Sequence, residues 1–224
     1  MSTSTGPWWV PLVQATRRNL IPGLALQALA CALVGAYYFL PATRGFFTSI
    51  AEAKNAGGYW FSAVAGVIAG GIIPWLVQYA RGQIERELAV RDFFYIVVVW
   101  AWRGIEVDAL YRLQDVLFGT GHDPLTLGQK VAVDQLLYAP LWACPLLVLA
   151  YRFRDLRFSW TNLRHGFTWR EFIHQVLMVQ SSSWTVWIPA VTIVYSLPSA
   201  LQFPLFAVVV CFWSLLLATL TNRR

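Results

Sequence analysis

The sequence predicts an all-α protein, a polytopic transmembrane helical bundle with about six membrane helices in a single domain, residues 1–224. Hydrophobic residues make up 58% of the chain and charged residues only 12%, whereas a soluble domain has about 25% charged residues. The stretch from Gln175 to Asn222 contains no charged residue. One crossing takes roughly 20 apolar residues, and lipid requires internal backbone hydrogen bonds. This stretch alone therefore predicts two membrane helices.

The gaps between charged residues place the predicted crossings along the chain. The last two helices turn back between Tyr195 and Gln202, where Pro198 and two serines interrupt the apolar pattern. A further amphipathic helix lying along the interface is predicted at 169–177, because apolar residues recur there at helical spacing. The predicted crossings are Ile21–Leu40, Tyr59–Tyr79, a third from Phe93 to Val116, Val131–Tyr151, Ser183–Leu197 and Phe203–Thr221.

The distribution of basic residues predicts the orientation. Lys and Arg favour the cytoplasmic or matrix side of a membrane. With six crossings, twelve of the 17 Lys and Arg residues fall on the side of the termini. This predicts an integral membrane protein with both termini on the cytoplasmic or matrix side. A mitochondrial inner membrane, a peroxisomal membrane and a bacterial inner membrane all fit. The net charge of +6 suits loops that face anionic lipid, so the expected partner is the lipid bilayer, with no nucleic acid.

The second predicted crossing carries small residues on one face. Ser62, Gly66, Gly70 and Pro74 follow one another at four-residue spacing, and residues four apart share a helix face. Gly66 and Gly70 form a GxxxG pattern, which allows another helix to approach closely. We therefore expect this face to be a helix-packing surface.

Ionisable residues cluster in and beside the third and fourth predicted crossings. Charged side chains inside a membrane cost at least about 2.5–3.5 kcal/mol on insertion scales, and they tend to be paired and functional. Spacings of three or four residues allow Arg103–Glu106, Asp108–Arg112 and Lys130–Asp134 to meet on a helix surface. Two interpretations remain open, a structural ion-pair network and the lining of a pore. The candidate residues for either role are Arg91, Arg103, Glu106, Asp108, Arg112, Asp115, Lys130, Asp134 and Gln135.

The chain has no motif of a catalytic, metal or cofactor site. Cys31, Cys144 and Cys211 lie apart inside apolar segments and are typical of small hydrophobic residues in helix interfaces. The histidines show no HExxH spacing, and the sequence has neither GxSxG nor a nucleotide-binding loop. The sequence therefore predicts no enzyme, no metal and no cofactor.

One segment resembles a known family. Lys130, Asp134, Gln135 and Pro140 follow the K-x-x-x-D-Q-x-x-x-x-P pattern of the Mpv-seventeen and peroxisomal membrane protein (twenty-two kilodalton) family. These are small multi-helix proteins of the mitochondrial inner membrane and peroxisomes, with bacterial relatives. Further residues in the order of the family's motifs are Arg91, Gly104, Tyr111, Asp115, Trp184, Trp187, Pro189, Pro198 and Trp213.

The chain also departs from the family pattern. An early Asp is missing at Gly71, and Ile105 replaces a Pro. The resemblance implies a divergent member, with a family-like core over 57–222 and an N-terminal extension, 1–56, that carries an extra helix. It implies structural and gating roles for Arg91, Asp134, Gln135 and Pro140. It also adds Gly104, Pro140, Pro189, Pro198 and Trp213 to the expected helix-packing residues.

Two functions from different classes follow as hypotheses. The first is a channel or pore for small solutes that affects membrane permeability or potential, which some members of the family resemble. The alternative is a non-transporting structural subunit or assembly factor of a larger membrane complex. In that case the GxxxG face and the many Trp residues would be its docking surface. The expected protein partners are further copies of the chain or other subunits of a membrane complex.

Overall fold

The structure, a computed structural model, describes residues 9–220, and this part of the chain is helical without a strand. The predicted all-α class is confirmed. The elements are α1 (Trp9–Phe39), α2 (Arg44–Gly66), the π-helical segment π1 (Val67–Ile72), α3 (Ile73–Ala80), α4 (Ala89–Phe118), α5 (Pro124–Ala132), the π-helical segment π2 (Val133–Ala143), α6 (Cys144–Asp155), α7 (Trp160–His165), α8 (Trp169–Tyr195) and α9 (Ser199–Leu220). Consecutive elements join into six long rods within the described residues, namely α1, α2–π1–α3, α4, α5–π2–α6, α8 and α9.

Four of these rods are long and apolar enough to cross a membrane, judged by length and composition over residues 9–220. They are Asn19–Phe39, Pro41–Ala80, Pro124–Asp155 and Trp169–Tyr195. α9 contributes a shorter apolar stretch, Ser199–Leu215. α4 is not among the four because charged residues interrupt its apolar sequence. The protein thus has several helices compatible with a membrane location.

The interfacial helix predicted at 169–177 is wrong as a separate element. These residues form the first turns of α8, which continues without a break to Tyr195. Phe172 and Val176 are buried and pack against Cys144 and Val148 of α6. These two residues face the protein, whereas Trp169, Ile173 and Leu177 are 67%, 51% and 56% exposed. The turn predicted between the last two helices lies at Ser196–Pro198. Thr221, the predicted end of the sixth crossing, lies outside the described residues.

Helix α2 starts well before the predicted crossing at Tyr59 and contains a kink. Gly58 adopts a positive φ of 51° with ψ of −129°, a conformation that glycine adopts without steric cost. The kink lies within two residues of the boundary between 56 and 57 that the sequence suggests. The segment Arg44–Gly66 therefore consists of two helices that meet at Gly58.

Contacts between the rods show their relative directions. α1 and α8 run parallel, because Asn19 donates to the carbonyl of Ser182 while Tyr38, at the other end, donates to the carbonyl of Ser196. The residue numbers of the bonded positions increase together along α1 and α8. Parallel first and fifth rods are the arrangement expected when successive rods alternate in direction.

The second and fourth rods both run antiparallel to α4. Lys54 of α2 bonds Asp108 near the end of α4, whereas Trp75 of α3 bonds Asp92 near its start. In the fourth rod, Lys130 of α5 bonds Asp115 near the end of α4, whereas Arg154 of α6 bonds Asp92 near its start. α4 therefore has two antiparallel neighbours.

The contact between α2–π1 and α4 depends on glycine. A β-carbon on Gly66 would lie 2.7 Å from the carbonyl oxygen of Trp100. A β-carbon on Gly104 would overlap the carbonyl oxygen of Ser62, and one on Gly70 would overlap the ring of Trp100. The small face predicted on the second crossing thus packs against α4 within the same chain. Pro74, the last residue of this series, is also buried.

Both π-helical segments occur next to prolines. Pro74 follows π1 at the second position of α3, and π2 contains Pro140 and is followed by Pro145. A proline inside a helix lacks the N–H donor, and its ring clashes with the carbonyl four residues earlier. Widening to the i→i+5 pattern relieves this clash, and such segments are frequent at functional sites.

The charge-free C-terminal stretch supplies much of the core. Val194, Tyr195, Leu197, Phe203 and Val209 are each 1% exposed. α9 contacts α1, α2, α3, α4 and α8, which explains why its sequence is apolar on every side. The other predicted packing residues lie as follows: Pro189 within α8, Pro198 in the turn before α9, and Trp213 with its ring centroid 6.5 Å from that of Trp187.

We predict that Gly104→Ala destabilises the fold by about 1–3 kcal/mol, because the new methyl group forces α2 and α4 apart. The measurement is thermal unfolding in detergent, followed by intrinsic Trp fluorescence. Gly128→Ala is the matched control, because a β-carbon there meets no atom within 4 Å and alanine favours the helix. An equal loss of stability in both variants would contradict the proposed role of the α2–α4 contact.

Candidate functional site

A cavity of about 380 Å³ lies between α4, π2, α6, α8 and α9. Its walls are largely apolar and include Trp100, Trp187, Phe206 and Trp213. The polar side chains that line it are Asn19, Arg103, Tyr111, Asp134, Gln135, Tyr138, Tyr151, Gln180, Ser182, Ser183 and Ser214. Volumes of roughly 300–1,000 Å³ with apolar walls and a few convergent polar groups are typical of small-molecule sites.

The cavity lies near the middle of the rods that enclose it. Arg103 is the 15th of the 30 residues of α4. Tyr138 is the 15th of the 32 residues of Pro124–Asp155. Polar groups at this depth would be about as far from either end of the bundle as the helices allow.

A second concavity, of about 680 Å³, lies beside α6 and α7. Although it is larger, its lining is apolar except for Arg164, and Trp160 at its edge is 66% exposed. It is an open groove at one end of the bundle. The polar groups that converge on the central cavity make that cavity the stronger candidate site.

Asp134 is a buried carboxylate held by uncharged donors. Its side chain accepts 2.7 Å from the hydroxyl of Tyr195 and 2.9 Å from the amide of Gln135. Asp134 is 6% exposed, and none of the ion pairs found among residues 9–220 includes it. A buried carboxylate without a cation is costly, so this group is the strongest electrostatic feature of the cavity.

The guanidinium of Arg103 has protein partners for some of its N–H groups but not for all of them. Its guanidinium forms an ion pair with Glu106 and donates 3.3 Å to the hydroxyl of Tyr138. Glu106 also accepts from Tyr138 at 2.7 Å and from the indole of Trp142 at 3.2 Å. Arg103 therefore keeps its position without Asp134, and its charge is largely balanced by Glu106.

Four buried polar atoms of the cavity-lining residues have no hydrogen-bond partner in the described part of the protein. They are the Nε1 atom of Trp100, the hydroxyl of Tyr111, the Oε1 atom of Gln135 and the Nε atom of Arg103. Buried polar groups are nearly always hydrogen-bonded. These four atoms therefore provide unused donor and acceptor capacity around the cavity.

Trp184 compensates for the proline in π2. In a π-helix the N–H of residue 140 would donate to the carbonyl of residue 135, but Pro140 has no N–H. The indole of Trp184 donates to the carbonyl of Gln135 at 3.0 Å. This bond joins α8 to π2 and fixes the segment that presents Asp134 and Gln135 to the cavity.

Most other predicted polar residues are held in ion pairs away from the cavity. Asp108 accepts from Lys54 and from Ser62, each at 2.9 Å, and pairs with the half-exposed Arg112 at 3.4 Å. This cluster lies between α2 and α4. The carboxylate of Asp108 thus points toward protein partners, while Arg112 stays half-exposed.

The pairing of Lys130 differs from the sequence prediction. Its ammonium lies 2.5 Å from the carboxylate of Asp115, so the expected partner, Asp134, was wrong. Lys130 is 1% exposed, and its charge also lies 5.9 Å from the centre of the Tyr195 ring. The four-residue spacing from 130 to 134 runs into π2, where the α-helical register no longer holds.

Among the nine predicted polar residues, Arg103, Asp134 and Gln135 line the cavity and Glu106 supports Arg103. Arg91 is exposed at the start of α4 and donates to the carbonyl of Arg157. Sequence reasoning did not select Tyr111, Tyr138 or Tyr195 as site residues. The four-residue spacing of Arg103, Val107 and Tyr111, which puts them on one face of α4, was a usable signal.

A second buried ion pair was also missed. Arg154 of α6 donates to both oxygens of Asp92, at 2.6 and 2.8 Å, and Trp75 donates to the same carboxylate at 2.9 Å. The partners are 62 residues apart in sequence, so no local spacing indicates the contact. It joins the first turn of α4 to the last turn of α6.

We predict that Asp108→Asn costs about 3–5 kcal/mol of stability, because it leaves the Lys54 ammonium buried without its counter-charge. Both side chains are 4% exposed. Glu85→Gln is the control, since Glu85 and Arg157 form a pair that is 54% and 63% exposed and such pairs contribute little. The measurement is again thermal unfolding in detergent.

The double variant Lys54→Met/Asp108→Asn tests the reason for this loss. Since it removes the unpaired ammonium, we expect it to be more stable than Asp108→Asn alone. A double variant that is as unstable as Asp108→Asn would show that the charge of Lys54 is not the cause.

No family model, curated protein or solved structure matches this chain. The resemblance of the Lys130–Pro140 segment to the Mpv-seventeen family stays a prediction. The cavity and the helices around it are the features of the molecule that bear on its function.

Proposed function

We propose that this protein is an integral membrane protein with six crossings that forms a pathway for small polar solutes. The observation that carries the proposal is the cavity of about 380 Å³ at mid-length of the rods, lined by Arg103 and Asp134. Ionisable groups at mid-membrane are expensive, and they typically mark solute or ion pathways.

The six crossings include α4 although its sequence is interrupted by charge. Asp92, Glu106 and Asp108 are buried at 9% exposure or less, and each is bonded to a neighbouring helix. The lipid-facing residues of α4 include Val98 and Trp102, which are 67% and 54% exposed. A 30-residue helix is about 45 Å long, which exceeds the roughly 30 Å of the hydrocarbon core.

Successive rods alternate in direction, which supports the same six-crossing topology. Six crossings put both termini on one side, and the surplus of Lys and Arg on that side favours the cytoplasm or matrix. Membership of the Mpv-seventeen family would agree with this proposal, since some of its members resemble non-selective channels.

One reason for the alternative function, a non-transporting subunit or assembly factor, no longer applies. The GxxxG face that would dock a partner packs against Gly104 and Trp100 of the same chain. Native mass measurement in mild detergent tests this alternative directly. A stable hetero-complex purified with the chain would favour it, whereas a monomer or homo-oligomer would favour the pathway.

We predict that the loops at both ends of α4 lie on opposite sides of the membrane. In a variant whose three cysteines are replaced by alanine, Gln83→Cys and Arg164→Cys should react with a membrane-impermeant maleimide from one side. Thr120→Cys should react only from the other side. If Gln83→Cys and Thr120→Cys react from the same side, α4 does not cross and the six-crossing proposal is wrong.

We predict that Ala139→Phe blocks solute passage, because Ala139 lines the cavity and the larger side chain would fill it. The assay is stopped-flow swelling of proteoliposomes with glycerol or glycine as the permeant, beside protein-free vesicles. We expect the wild-type protein to raise the swelling rate and Ala139→Phe to return it to the protein-free rate.

Leu141→Phe is the matched control for this variant. Leu141 lies in the same π2 segment but is 73% exposed on the outer surface, so we expect wild-type rates. Vesicles with wild-type protein that swell no faster than empty vesicles would refute the pathway. Equal effects of the two substitutions would show that the cavity is not the route.

A further inference from the structure

The end of the cavity near Asp134 is rich in hydrogen-bond acceptors. The carboxylate of Asp134, the unpartnered Oε1 atom of Gln135 and the unpartnered hydroxyl of Tyr111 belong to side chains that line the same space. Gln135 and Tyr111 are 4% and 3% exposed. An ammonium group has three N–H donors and no acceptor. Three acceptors, one of them a carboxylate that forms no ion pair within the described residues, therefore suit a protonated amine.

Arg103 supplies the opposite charge at another position of the cavity. It precedes Tyr111 by two helical turns on the same face of α4, about 12 Å along the helix axis. Its Nε atom is buried without a partner, although its other side is engaged by Glu106 and Tyr138. An N–H donor on a guanidinium is a strong partner for a carboxylate.

The walls between these two poles are apolar. Trp100, Val107, Trp187 and Phe206 line the space and offer no charge. Asp134 forms no ion pair within the described residues, and Arg103 keeps an unpartnered N–H donor although Glu106 balances its charge. A ligand that carries an ammonium and a carboxylate, joined by a hydrocarbon segment, can use both groups.

We infer that the cavity binds a small zwitterion whose ammonium and carboxylate groups are separated by several carbon atoms. The ammonium contacts Asp134, Gln135 and Tyr111, and the carboxylate contacts Arg103. The inference rests on the proposed function only in taking this ligand as one of the transported solutes. The two-turn separation of Arg103 from Tyr111 favours ω-amino acids with a long carbon chain over glycine.

The test is calorimetric titration of the purified full-length protein in detergent with a series of defined probes. The series is glycine, 4-aminobutyrate and 5-aminopentanoate, with pentanoate and pentylamine as probes that carry one charge each. We expect 5-aminopentanoate to bind about tenfold or more tightly than either singly charged probe, since each lacks one charged hydrogen bond. Equal affinities for 5-aminopentanoate and pentylamine, or no binding of any probe, would overturn the inference.

Two variants test whether the Asp134 end of the cavity binds the ammonium group, independently of general effects on folding. Asp134→Asn should weaken the binding of 5-aminopentanoate by about tenfold or more and leave that of pentanoate unchanged. Tyr111→Phe keeps the ring and removes a hydroxyl that has no protein partner, so it should fold normally and bind the zwitterion about threefold or more weakly. Tyr79→Phe, outside the cavity, is the control and should bind as the wild type does. Unchanged affinity in both cavity variants would overturn the inference.

Binding and passage are measured separately, so the two proposals can fail independently. Binding of 5-aminopentanoate without any swelling of vesicles would refute the pathway and keep the zwitterion site. Swelling with glycerol in the absence of zwitterion binding would keep the pathway and refute the site.

Discussion

The fold depends on the rule that ionised side chains in an apolar bundle need partners inside it. α4 concentrates this requirement, because its acidic residues are buried against helices on two sides. Asp108 meets Lys54, Asp115 meets Lys130, and Asp92 meets Arg154. Each pair joins α4 to a different element, since removing either partner would leave a charge in a medium that cannot solvate it. The same contacts that neutralise α4 therefore fix the arrangement of its neighbours.

The helical class, the rods and the C-terminal turn were predictable from composition and from the gaps between charges. The small face of Gly66 and Gly70 was predictable because four-residue periodicity is a local property. The partners of Lys130 and Asp92 were not, because ion pairs between rods depend on packing that no spacing reveals. The same limit applies to the cavity, where only Arg103, Asp134 and Gln135 were candidates beforehand.

The sequence allowed two interpretations, structural ion pairs or a polar cavity. Both are present, on different faces of α4. The face of α4 that carries Asp108 meets α2, whereas the face that carries Arg103 and Tyr111 lines the cavity. A helical wheel separates the two sets of residues, yet the charges are interleaved in sequence. π2 adds the opposite wall, and Trp184 holds its widened turn in place.

The glycine contact between α2 and α4 has a mechanical consequence. Gly104, which touches the backbone at Ser62, lies at the centre of α4. α4 is also tied near its start by the Asp92–Arg154 pair and near its end by the Asp115–Lys130 pair. A tilt of α4 would therefore stretch an ion pair at one end or the other while the glycine contact blocks any closer approach to α2. The helix wall of the cavity thus has three fixed points along its length, which favours a cavity of constant width.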